Sequence, residues 1–258
     1  MATRRRLDAE LVRRGLARSR QQASDMIDAG TVQVNRVMAT KAATQVLDSD
    51  SLIVRAPEHE YVSRGAHKLI GPLDEFGLDV AGRHALDAGA STGGFTQVLL
   101  ERGAARVIAV DVGYGQLAWS LQADPRVTVL DRTNVRHLTA ADLPYVPDLV
   151  VGDLSFISLT KVLPALVTVA PDADFVMLVK PQFEVGKGHV GKGGVVRDPH
   201  QHAAAITGVA RAAHDLGLGV AGLTRSPLPG PSGNIEFVMW MRRGAGDLDP
   251  ALVAEVTS

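Results

Sequence analysis

Two lysines and two acidic residues, far apart in the sequence, could together remove a proton from an alcohol: Lys68, Asp153, Lys180 and Glu236. A lysine has a reference pKa of about 10.4 and is a poor base while protonated; burial and a second lysine lower that pKa, and a carboxylate raises it. A neutral Lys180 could accept the proton of a hydroxyl that attacks an electrophilic methyl group, while the carboxylates orient the amines. Taken singly, each residue is more typical of a structural ion pair, so the prediction depends on elements that bring the four together.

Apolar runs that alternate with helical segments predict a parallel sheet whose carboxyl edge would collect these residues. Lys68 lies in a helix before the first predicted strand, Asp153 ends the fourth strand, and Lys180 ends the fifth. Ligands of open α/β sheets bind at the carboxyl ends of the strands. The proline-rich turn over residues 226–234 leads into a last strand, which carries Glu236 at its beginning and is expected to lie antiparallel at the sheet edge.

A glycine-rich run, LDAGASTGGFT over residues 86–96, lies between the first predicted strand and a helix, which is the position of a cofactor loop in such sheets. The run lacks the G-x-G-x-x-G dinucleotide spacing, and Asp87 would repel a pyrophosphate, so a cationic ligand such as S-adenosylmethionine is favoured. Asp111, after the second strand, is placed to accept hydrogen bonds from ribose hydroxyls. Ordinary strand-end turns of an α/β protein are the alternative.

The third predicted strand, residues 127–130, is followed by a run from Asp131 whose side chains often meet an adenine ring in such sheets. A helix is predicted over residues 114–121, with Leu117 and Trp119 packing near the cofactor. The predicted cofactor-binding residues are Asp87, Gly89, Ala90, Ser91, Gly93, Gly94, Phe95, Asp111, Asp131 and Asp153.

Composition excludes several classes of function. The 258 residues include no cysteine, which excludes disulfides, thiolate metal sites and a cysteine nucleophile, and no metal site is predicted. No apolar run reaches the roughly 18 residues of a membrane helix, and the arginine-rich N-terminus lacks the apolar core of a secretory signal. With 46% apolar residues and a net charge of −1, the chain can bury a sizeable core, and a cytoplasmic location is predicted.

Positive charge is concentrated near the N-terminus: residues 1–41 carry nine lysines and arginines against four acidic residues. Such asymmetry in a nearly neutral chain indicates a basic module joined to a different domain. Glycines and a capping serine, Ser19, predict two short helices followed by a strand. We therefore predict a small domain over residues 1–56, a linker over 57–64 and a large domain over 65–258.

The run RLDAELVRRGLARSRQQASDMIDAGTVQVN, residues 6–35, resembles the S4 RNA-binding module. The resemblance implies that arginines around the second helix bind RNA phosphates, contacts that give affinity rather than sequence reading. A solvated basic helix face is the alternative. The predicted RNA-binding residues, two of them outside this module, are Arg4, Arg6, Arg18, Arg20, Lys41, Arg64 and Lys187.

Six further runs resemble the haemolysin-A-type (TlyA) ribosomal RNA 2′-O-methyltransferases, relatives of the FtsJ heat-shock RNA methyltransferases. They are YVSRGAHKL, LDAGASTGGFT, DVGYGQL, DLSFISL, VKPQFEVGKG and PLPGPSGNIEF. The resemblance implies an α/β, Rossmann-like class I S-adenosylmethionine methyltransferase domain, with a seven-stranded sheet and an antiparallel last strand, preceded by a small α+β S4 domain. It also implies S-adenosyl-L-methionine as the cofactor and ribosomal RNA or ribosomal subunits as the partner.

The same resemblance implies roles for individual residues. The family's K-D-K-E tetrad corresponds to Lys68, Asp153, Lys180 and Glu236, with Lys180 as the general base. The implied substrate is the cytidine 2′-hydroxyl in 16S and/or 23S rRNA, a modification associated with sensitivity to capreomycin and viomycin. No membrane partner is expected, and the oligomeric state stays open, with a monomer favoured.

Alternatives from other classes of function stay open. The chain could be a catalytically idle, ribosome-associated RNA-binding factor, against which the intact tetrad argues. It could be a membrane-lysing protein, as the word haemolysin suggests, although its sequence shows no long basic amphipathic helix. Among enzymes, a base N-methyltransferase would usually carry an Asn/Asp-Pro-Pro-aromatic run after the fourth strand, where this chain has DLSF from Asp153.

Overall fold

The computed structural model describes residues 4–28, 30–54, 61–186, 188, 190–230 and 232–258. The chain divides into two compact units, Met1–Glu60 and Tyr61–Ser258. The domain boundaries proposed from the sequence stay predictions, and half of the predicted linker, residues 57–60, lies outside the described residues. None of the described helices is long and apolar enough to cross a membrane.

The first unit combines two short helices with two small antiparallel sheets. Ser19 Oγ accepts a hydrogen bond from the Gln22 backbone N–H at 3.2 Å and so caps the second helix, as its place in the sequence predicts. Leu7 and Leu11 of the first helix and Ile27 of the second are buried in one core. The elements are β1 (Arg4–Arg6), α1 (Leu7–Arg13), α2 (Arg20–Asp28), β2 (Val32–Val34), β3 (Val37–Met38), β4 (Gln45–Leu47) and β5 (Leu52–Val54). β1 pairs with β4, and β2 lies between β3 and β5.

The second unit is built on one seven-stranded sheet. Its strands are β6 (His84–Ala88), β7 (Arg106–Val110), β8 (Val127–Leu130), β9 (Leu149–Gly152), β10 (Asp174–Val179), β11 (Gly219–Arg225) and β12 (Phe237–Arg242). Its helices are α3 (His67–Phe76), α4 (Gly94–Glu101), α5 (Trp119–Gln122), α6 (Leu163–Val169), α7 (Pro181–Glu184), α8 (Pro199–His214) and α9 (Pro250–Thr257). The strand order is β11-β12-β10-β9-β6-β7-β8, and the pairs among β6 to β10 are all parallel.

Apolar side chains alternate between the two faces of the central strands and so define two cores. Leu86 and Val150 belong to the core that contains residues of α6 and α8, whereas Ala85 and Val151 belong to the core that contains residues of α3 and α4. Because helices cover both faces, a ligand can reach this sheet only at the strand ends, where the loops after β6 to β10 gather.

The last strand, β12, is antiparallel as predicted, but the prediction that it lies at the sheet edge is wrong. β12 lies between β10 and β11 and runs antiparallel to both. Phe237, Val238, Met239 and Met241 are all fully buried. A continuous apolar run of this kind is typical of a strand that is paired on both sides and covered on both faces, so its position in the sheet has a clear physical reason.

The helix predicted over residues 114–121 begins only at Trp119. The Asp131 carboxylate accepts a hydrogen bond from the backbone N–H of Gly115, which has a left-handed φ of 61°, at 2.9 Å. A left-handed glycine tied to a side chain from another strand prevents the helix from starting earlier. Leu117 is buried, whereas Trp119 is 81% exposed, and the expectation that both pack near the cofactor stays a prediction.

Candidate active site

The four separated lysine and acidic residues form one chain in which amines alternate with carboxylates, buried except at Asp153. Lys68 Nζ lies 2.5 Å from Glu236 Oε2 and 3.8 Å from Asp153 Oδ2, and Lys180 Nζ lies 2.5 Å from Asp153 Oδ1. Glu236 and both lysines are buried, so each charge has an opposite charge beside it in surroundings of low dielectric constant. The structure therefore brings together all four residues predicted from the sequence, while their catalytic roles stay a prediction.

Each member of this tetrad is positioned by a different element. Lys68 lies in the first turn of α3, Asp153 follows β9, Lys180 follows β10, and Glu236 precedes β12. β9 and β10 are parallel neighbours, so their carboxyl ends place Asp153 and Lys180 side by side. β12 runs antiparallel beside β10, which brings its first residues to the same edge of the sheet. The sheet and helix α3 together thus gather residues that are up to 168 positions apart.

Glu236 is held by the proline-rich turn that precedes it. A Cβ atom on Gly230 would lie 2.5 Å from Glu236 Oε1, so a larger residue there would displace the carboxylate. Gln182 Nε2 donates a long hydrogen bond, 3.5 Å, to the same oxygen. Asn234 fixes the turn from the other side, because its Oδ1 accepts a hydrogen bond from the Val196 backbone N–H at 2.9 Å. The carboxylate is therefore kept in one orientation toward the lysines.

Lys180 has a second polar partner besides the carboxylate of Asp153. Its Nζ donates a hydrogen bond to Ser155 Oγ at 3.0 Å. Lys68 and Lys180 both line a cavity of about 240 Å³, together with Ser155 and part of the glycine loop. The position of Ser155 Oγ shows that an alcohol can be accommodated at hydrogen-bond distance from the Lys180 amine.

A larger cavity, of about 420 Å³, shares Gly89, Ser91, Asp153 and Ser155 with the smaller one. Its remaining lining residues are Val110, Asp111, Val112, Gln116, Thr133, Asn134, Val135, Leu154, Phe156 and Ile157. An apolar cavity with a few convergent polar groups is the usual form of a small-cofactor site. The two cavities place such a site directly beside the tetrad.

Most of the predicted cofactor-binding residues line one of these two cavities. They are Gly89, Ala90, Ser91, Gly94, Phe95, Asp111 and Asp153. Gly89 has a φ of 86°, and a Cβ atom there would meet the Asp153 carbonyl oxygen at 3.0 Å, so the loop can pass this strand end only as glycine. Asp111 accepts hydrogen bonds from the backbone N–H groups of Ser91, at 2.8 Å, and Gly113, at 2.7 Å, which fixes its carboxylate at the cavity wall.

The other three predicted cofactor-binding residues, Asp87, Gly93 and Asp131, line neither cavity. Asp87 is fully buried, and its Oδ2 accepts a hydrogen bond from Thr96 Oγ1 at 2.7 Å. Asp131 binds the Gly115 N–H, and Gly93 forms the left-handed turn before α4, with a φ of 101°. These residues support the loops around the cavities rather than forming the cavity walls.

Thr133 and Asn134 belong to the run after the third strand that is expected to meet an adenine ring, and both line the larger cavity. Sequence reasoning gave no role to Ser155 and Gln182, which contact members of the tetrad. These two residues follow closely after the ends of β9 and β10. The signal that could have found them is the same strand-end rule, applied to every polar residue after a strand and not only to the charged ones.

Comparison with known proteins agrees with this geometry. Residues 61–243 match the model of the FtsJ-like methyltransferase family, and residues 5–52 match the S4 domain. The chain is 62% identical over 244 residues to the 16S/23S rRNA (cytidine-2′-O)-methyltransferase TlyA of Mycobacterium tuberculosis, a match that covers 94% of this chain and 91% of that protein. The chain belongs to the FtsJ-like methyltransferase family.

Solved structures support the same assignment for this FtsJ-like chain. A hemolysin-type protein of Streptococcus thermophilus is similar with a TM-score of 0.76 and 38% identity, over 100% of this chain and 95% of that one. An S-adenosylmethionine-dependent methyltransferase from Mesorhizobium loti has a TM-score of 0.50 and 14% identity, over 68% of this chain and 98% of that one, which shows the fold alone. The predicted α/β methyltransferase fold with an N-terminal S4 domain is confirmed, and the chain is a methyltransferase.

The larger cavity of this FtsJ-like domain fits S-adenosylmethionine better than a phosphate-bearing cofactor. The larger cavity is lined by the carboxylates of Asp111 and Asp153, and no lysine or arginine occurs among its described lining residues. A sulfonium and an amino group are cationic, so they suit such walls, whereas a pyrophosphate would be repelled. Each carboxylate oxygen of Asp111 accepts one backbone hydrogen bond and keeps a lone pair for a ribose hydroxyl.

The cations of the S4 domain differ in how far they are already paired. Arg6 and Arg20 both contact the Asp8 carboxylate, at 3.0 and 2.9 Å. Arg18 and Lys41 are exposed and form no ion pair within the described ranges. Arg18 and Lys41 are therefore more available to a phosphate than Arg6 and Arg20.

The remaining predicted RNA contacts lie partly on the second unit. Arg4, in β1, and Arg64, in the turn before α3, are exposed. Lys187 lies outside the described residues. The RNA-binding roles of all seven cations stay predictions. In the described part of the chain, no group of three or more histidine, aspartate or glutamate side chains is arranged to hold a metal ion.

Proposed function

We propose that this chain transfers the methyl group of S-adenosyl-L-methionine to the 2′-hydroxyl of a cytidine in 16S and/or 23S rRNA. The observation that most supports the proposal is the chain of alternating amines and carboxylates, in which Lys180 contacts both Asp153 and a hydroxyl beside a cavity suited to a cationic cofactor. The identity of 62% to TlyA of M. tuberculosis supports the same substrate, since that protein is named as a cytidine 2′-O-methyltransferase.

In this proposal Lys180 is the general base. S-adenosylmethionine, when bound, supplies a methyl group that its sulfonium makes electrophilic. The Lys180 amine would first lose its own proton to solvent. A substrate 2′-hydroxyl that takes the place of Ser155 Oγ beside Lys180 Nζ would then give its proton to this amine, and its oxygen would accept the methyl group that the sulfonium releases. Asp153 lies 2.5 Å from the amine and stabilises the ammonium group that results.

Lys68 and Glu236 complete the proposed catalytic tetrad. Lys68 Nζ bridges the Glu236 and Asp153 carboxylates, and this bridge orients Asp153 toward Lys180. A group held in one geometry before the reaction contributes to the rate because less ordering remains to be done in the transition state. Removing either residue would leave a buried charge without its partner, so both are expected to be required.

The S4 domain is proposed to bind the RNA backbone, and the methyltransferase domain to modify the target ribose. The chain would act as a monomer in the cytoplasm on ribosomal RNA or on ribosomal subunits. Its modification would make ribosomes sensitive to capreomycin and viomycin. The basic residues of the first unit support this proposal, because contacts from lysine and arginine to phosphate supply most of the affinity for RNA.

Transfer of tritium from labelled S-adenosylmethionine to purified ribosomal subunits and to free rRNA tests the proposal. The wild type should label ribose, and Lys180→Ala should be at least about 100-fold slower. Lys161→Ala changes an exposed lysine outside the tetrad and should keep the wild-type rate. Label on a base contradicts ribose methylation, and a fully active Lys180→Ala contradicts the role of the base. No label on any substrate, with cofactor binding intact, would favour the RNA-binding factor.

A further inference from the structure

Both polar partners of Lys180, Asp153 and Ser155, belong to the loop that follows β9. Directly after Ser155, the backbone passes through Phe156 at a φ of 64°, in the left-handed region that is unfavourable for any residue other than glycine. The Phe156 side chain is 91% exposed, so burial of its ring does not hold the backbone in this conformation. Another contact must therefore fix the loop.

Glu184 makes that contact. Its carboxylate accepts hydrogen bonds from Ser158 Oγ at 2.5 Å and from the Leu159 backbone N–H at 2.8 Å, just beyond Phe156. Leu159 is buried and Glu184 is half-buried, so the two hydrogen bonds are partly shielded from solvent, and the same burial raises the pKa of Glu184. A carboxylate that accepts two hydrogen bonds in such surroundings holds a loop more firmly than neutral partners would.

Glu184 is also linked to Lys180 through a short and rigid segment. Lys180 directly precedes the single turn of α7, and Glu184 is the last residue of that turn. Its first residue, Pro181, has its backbone angle fixed by the proline ring. In the same turn, the ring of Phe183 lies 5.3 Å from the ring of Phe156. The loop after β9 thus contacts the segment 180–184 at three residues: Lys180, Phe183 and Glu184.

We infer that Glu184 is a positioning residue for the methyl-transfer reaction. By anchoring the far end of the loop, it keeps Asp153 and Ser155 at the distances from Lys180 that the chemistry needs. The inference rests on the proposed function, because it concerns the rate of the same reaction. Glu184 itself lies outside both cavities, so we expect its replacement to change kcat and not the direct contacts with the RNA.

Two substitutions of Glu184 test whether its hydrogen bonds to the loop are what the reaction needs. Glu184→Ala removes both acceptor oxygens, so kcat with both substrates saturating should fall about 10–100-fold, while KM for the RNA changes by less than about threefold. Glu184→Gln keeps an oxygen for the Leu159 N–H and an amide that can donate to Ser158 Oγ, so kcat should return to within about threefold of wild type. Hydrogen exchange of the Leu159 amide should accelerate only in the alanine variant.

Asp249→Ala is the matched control. The Asp249 carboxylate accepts the Ala251 N–H at 2.8 Å at the start of α9, away from both cavities. Its loss should lower the melting temperature by about 2–4 °C, as expected for Glu184→Ala, but leave kcat unchanged. A wild type that transfers no methyl group overturns the proposed function. An active wild type with an unimpaired Glu184→Ala, or with Glu184→Gln impaired as strongly as Glu184→Ala, overturns the positioning role alone.

Discussion

Among the described residues no cation forms an ion pair with Asp87, and this distinguishes it from the carboxylates of the tetrad. It is fully buried, and its Oδ1 has no hydrogen-bond partner in the described part of the chain. Burial is the main cause that raises the pKa of Asp87 to about 7. Hydrogen bonds from Thr96 oppose this rise, and the negative charges of Asp153 and Asp111 add to it. The native protein therefore holds a proton on this carboxyl group at pH values where an exposed aspartate is ionised.

We expect the stability of Asp87→Asn relative to wild type to increase as the pH rises. The unfolded carboxyl titrates near about pH 3.9, so between about pH 4 and 7 native Asp87 binds a proton that the unfolded chain does not. The contribution of Asp87 to the free energy of unfolding of the wild type therefore falls across this window, by at most about 4 kcal/mol, and then stays level. Asparagine does not titrate. Urea unfolding of both proteins without cofactor, from about pH 4.5 to 8.5, measures the difference.

Asp215→Asn, an exposed change near the end of α8, provides the control for this titration. Its stability relative to wild type should vary much less with pH than that of Asp87→Asn, because an exposed carboxyl group has similar surroundings in the folded and unfolded states. If the stability difference between wild type and Asp87→Asn were the same at every pH, the raised pKa of Asp87 would be wrong.

Asp87 also shows how far the site could be predicted from residue types. Asp153 and Lys180 were predicted to meet because both follow parallel strands, and these strands are neighbours in the sheet. The same rule placed Asp87 and Asp131 at the cofactor, but one side chain is buried under the loop and the other binds a backbone N–H. A sequence pattern indicates where a strand ends, but it does not indicate the direction or depth of the side chain there.

At the scale of elements, the turn before α4 depends on one glycine conformation. Gly93 has a φ of 101°, which L-residues with a Cβ atom rarely adopt. A Cβ atom at this position would overlap Leu121 Cδ1 and lie 2.8 Å from Leu117 Cδ1. The turn leads into α4 beside Gly94, which lines the smaller cavity, so any shift of Gly93 would be transmitted to the proposed cofactor site.

Gly93→Ala and Gly208→Ala are the same chemical change in opposite surroundings. Gly93→Ala should lower the free energy of unfolding by about 1–3 kcal/mol and weaken the binding of S-adenosylmethionine. Gly208 lies within α8, and a Cβ atom there meets nothing within 4 Å, so Gly208→Ala should stabilise the protein by up to about 1 kcal/mol. Denaturant unfolding and calorimetric titration of the cofactor measure both effects. Equal stability of the two variants would contradict this account of the turn.

The position of a helix or strand could be predicted where neighbouring residues determine it, but not where a residue distant in the sequence determines it. The second helix begins after Ser19, as predicted, because its cap is a local hydrogen bond. The helix predicted over residues 114–121 loses its first half because Asp131, from the end of another strand, binds the Gly115 N–H. The position of β12 between two strands likewise depends on pairing across the whole sheet, which the sequence of the strand alone does not specify.

At the scale of the whole molecule, the excess of positive charge in the first unit is partly neutralised within that unit. Hydrogen bonds from Arg6, and also from Arg20, hold the pKa of Asp8 well below its usual range. Arg18 and Lys41 have no such partner within the described ranges. A cation that is already paired gains less when it meets a phosphate and displaces fewer counterions. The unpaired cations should therefore dominate the salt dependence of RNA binding.

Arg18→Ala tests this difference through the dependence of affinity on salt. The slope of log K for an rRNA fragment against log salt concentration should become shallower by about 0.7–1, because one phosphate contact is lost. Arg20→Ala should change the slope less, since Asp8 already shares its charge. Arg211→Ala, an exposed change on α8, should leave the slope unchanged. Fluorescence anisotropy over about 50–300 mM KCl gives the slopes. If the slope became as much shallower in Arg211→Ala as in Arg18→Ala, the S4 domain would not be the main electrostatic contact with RNA.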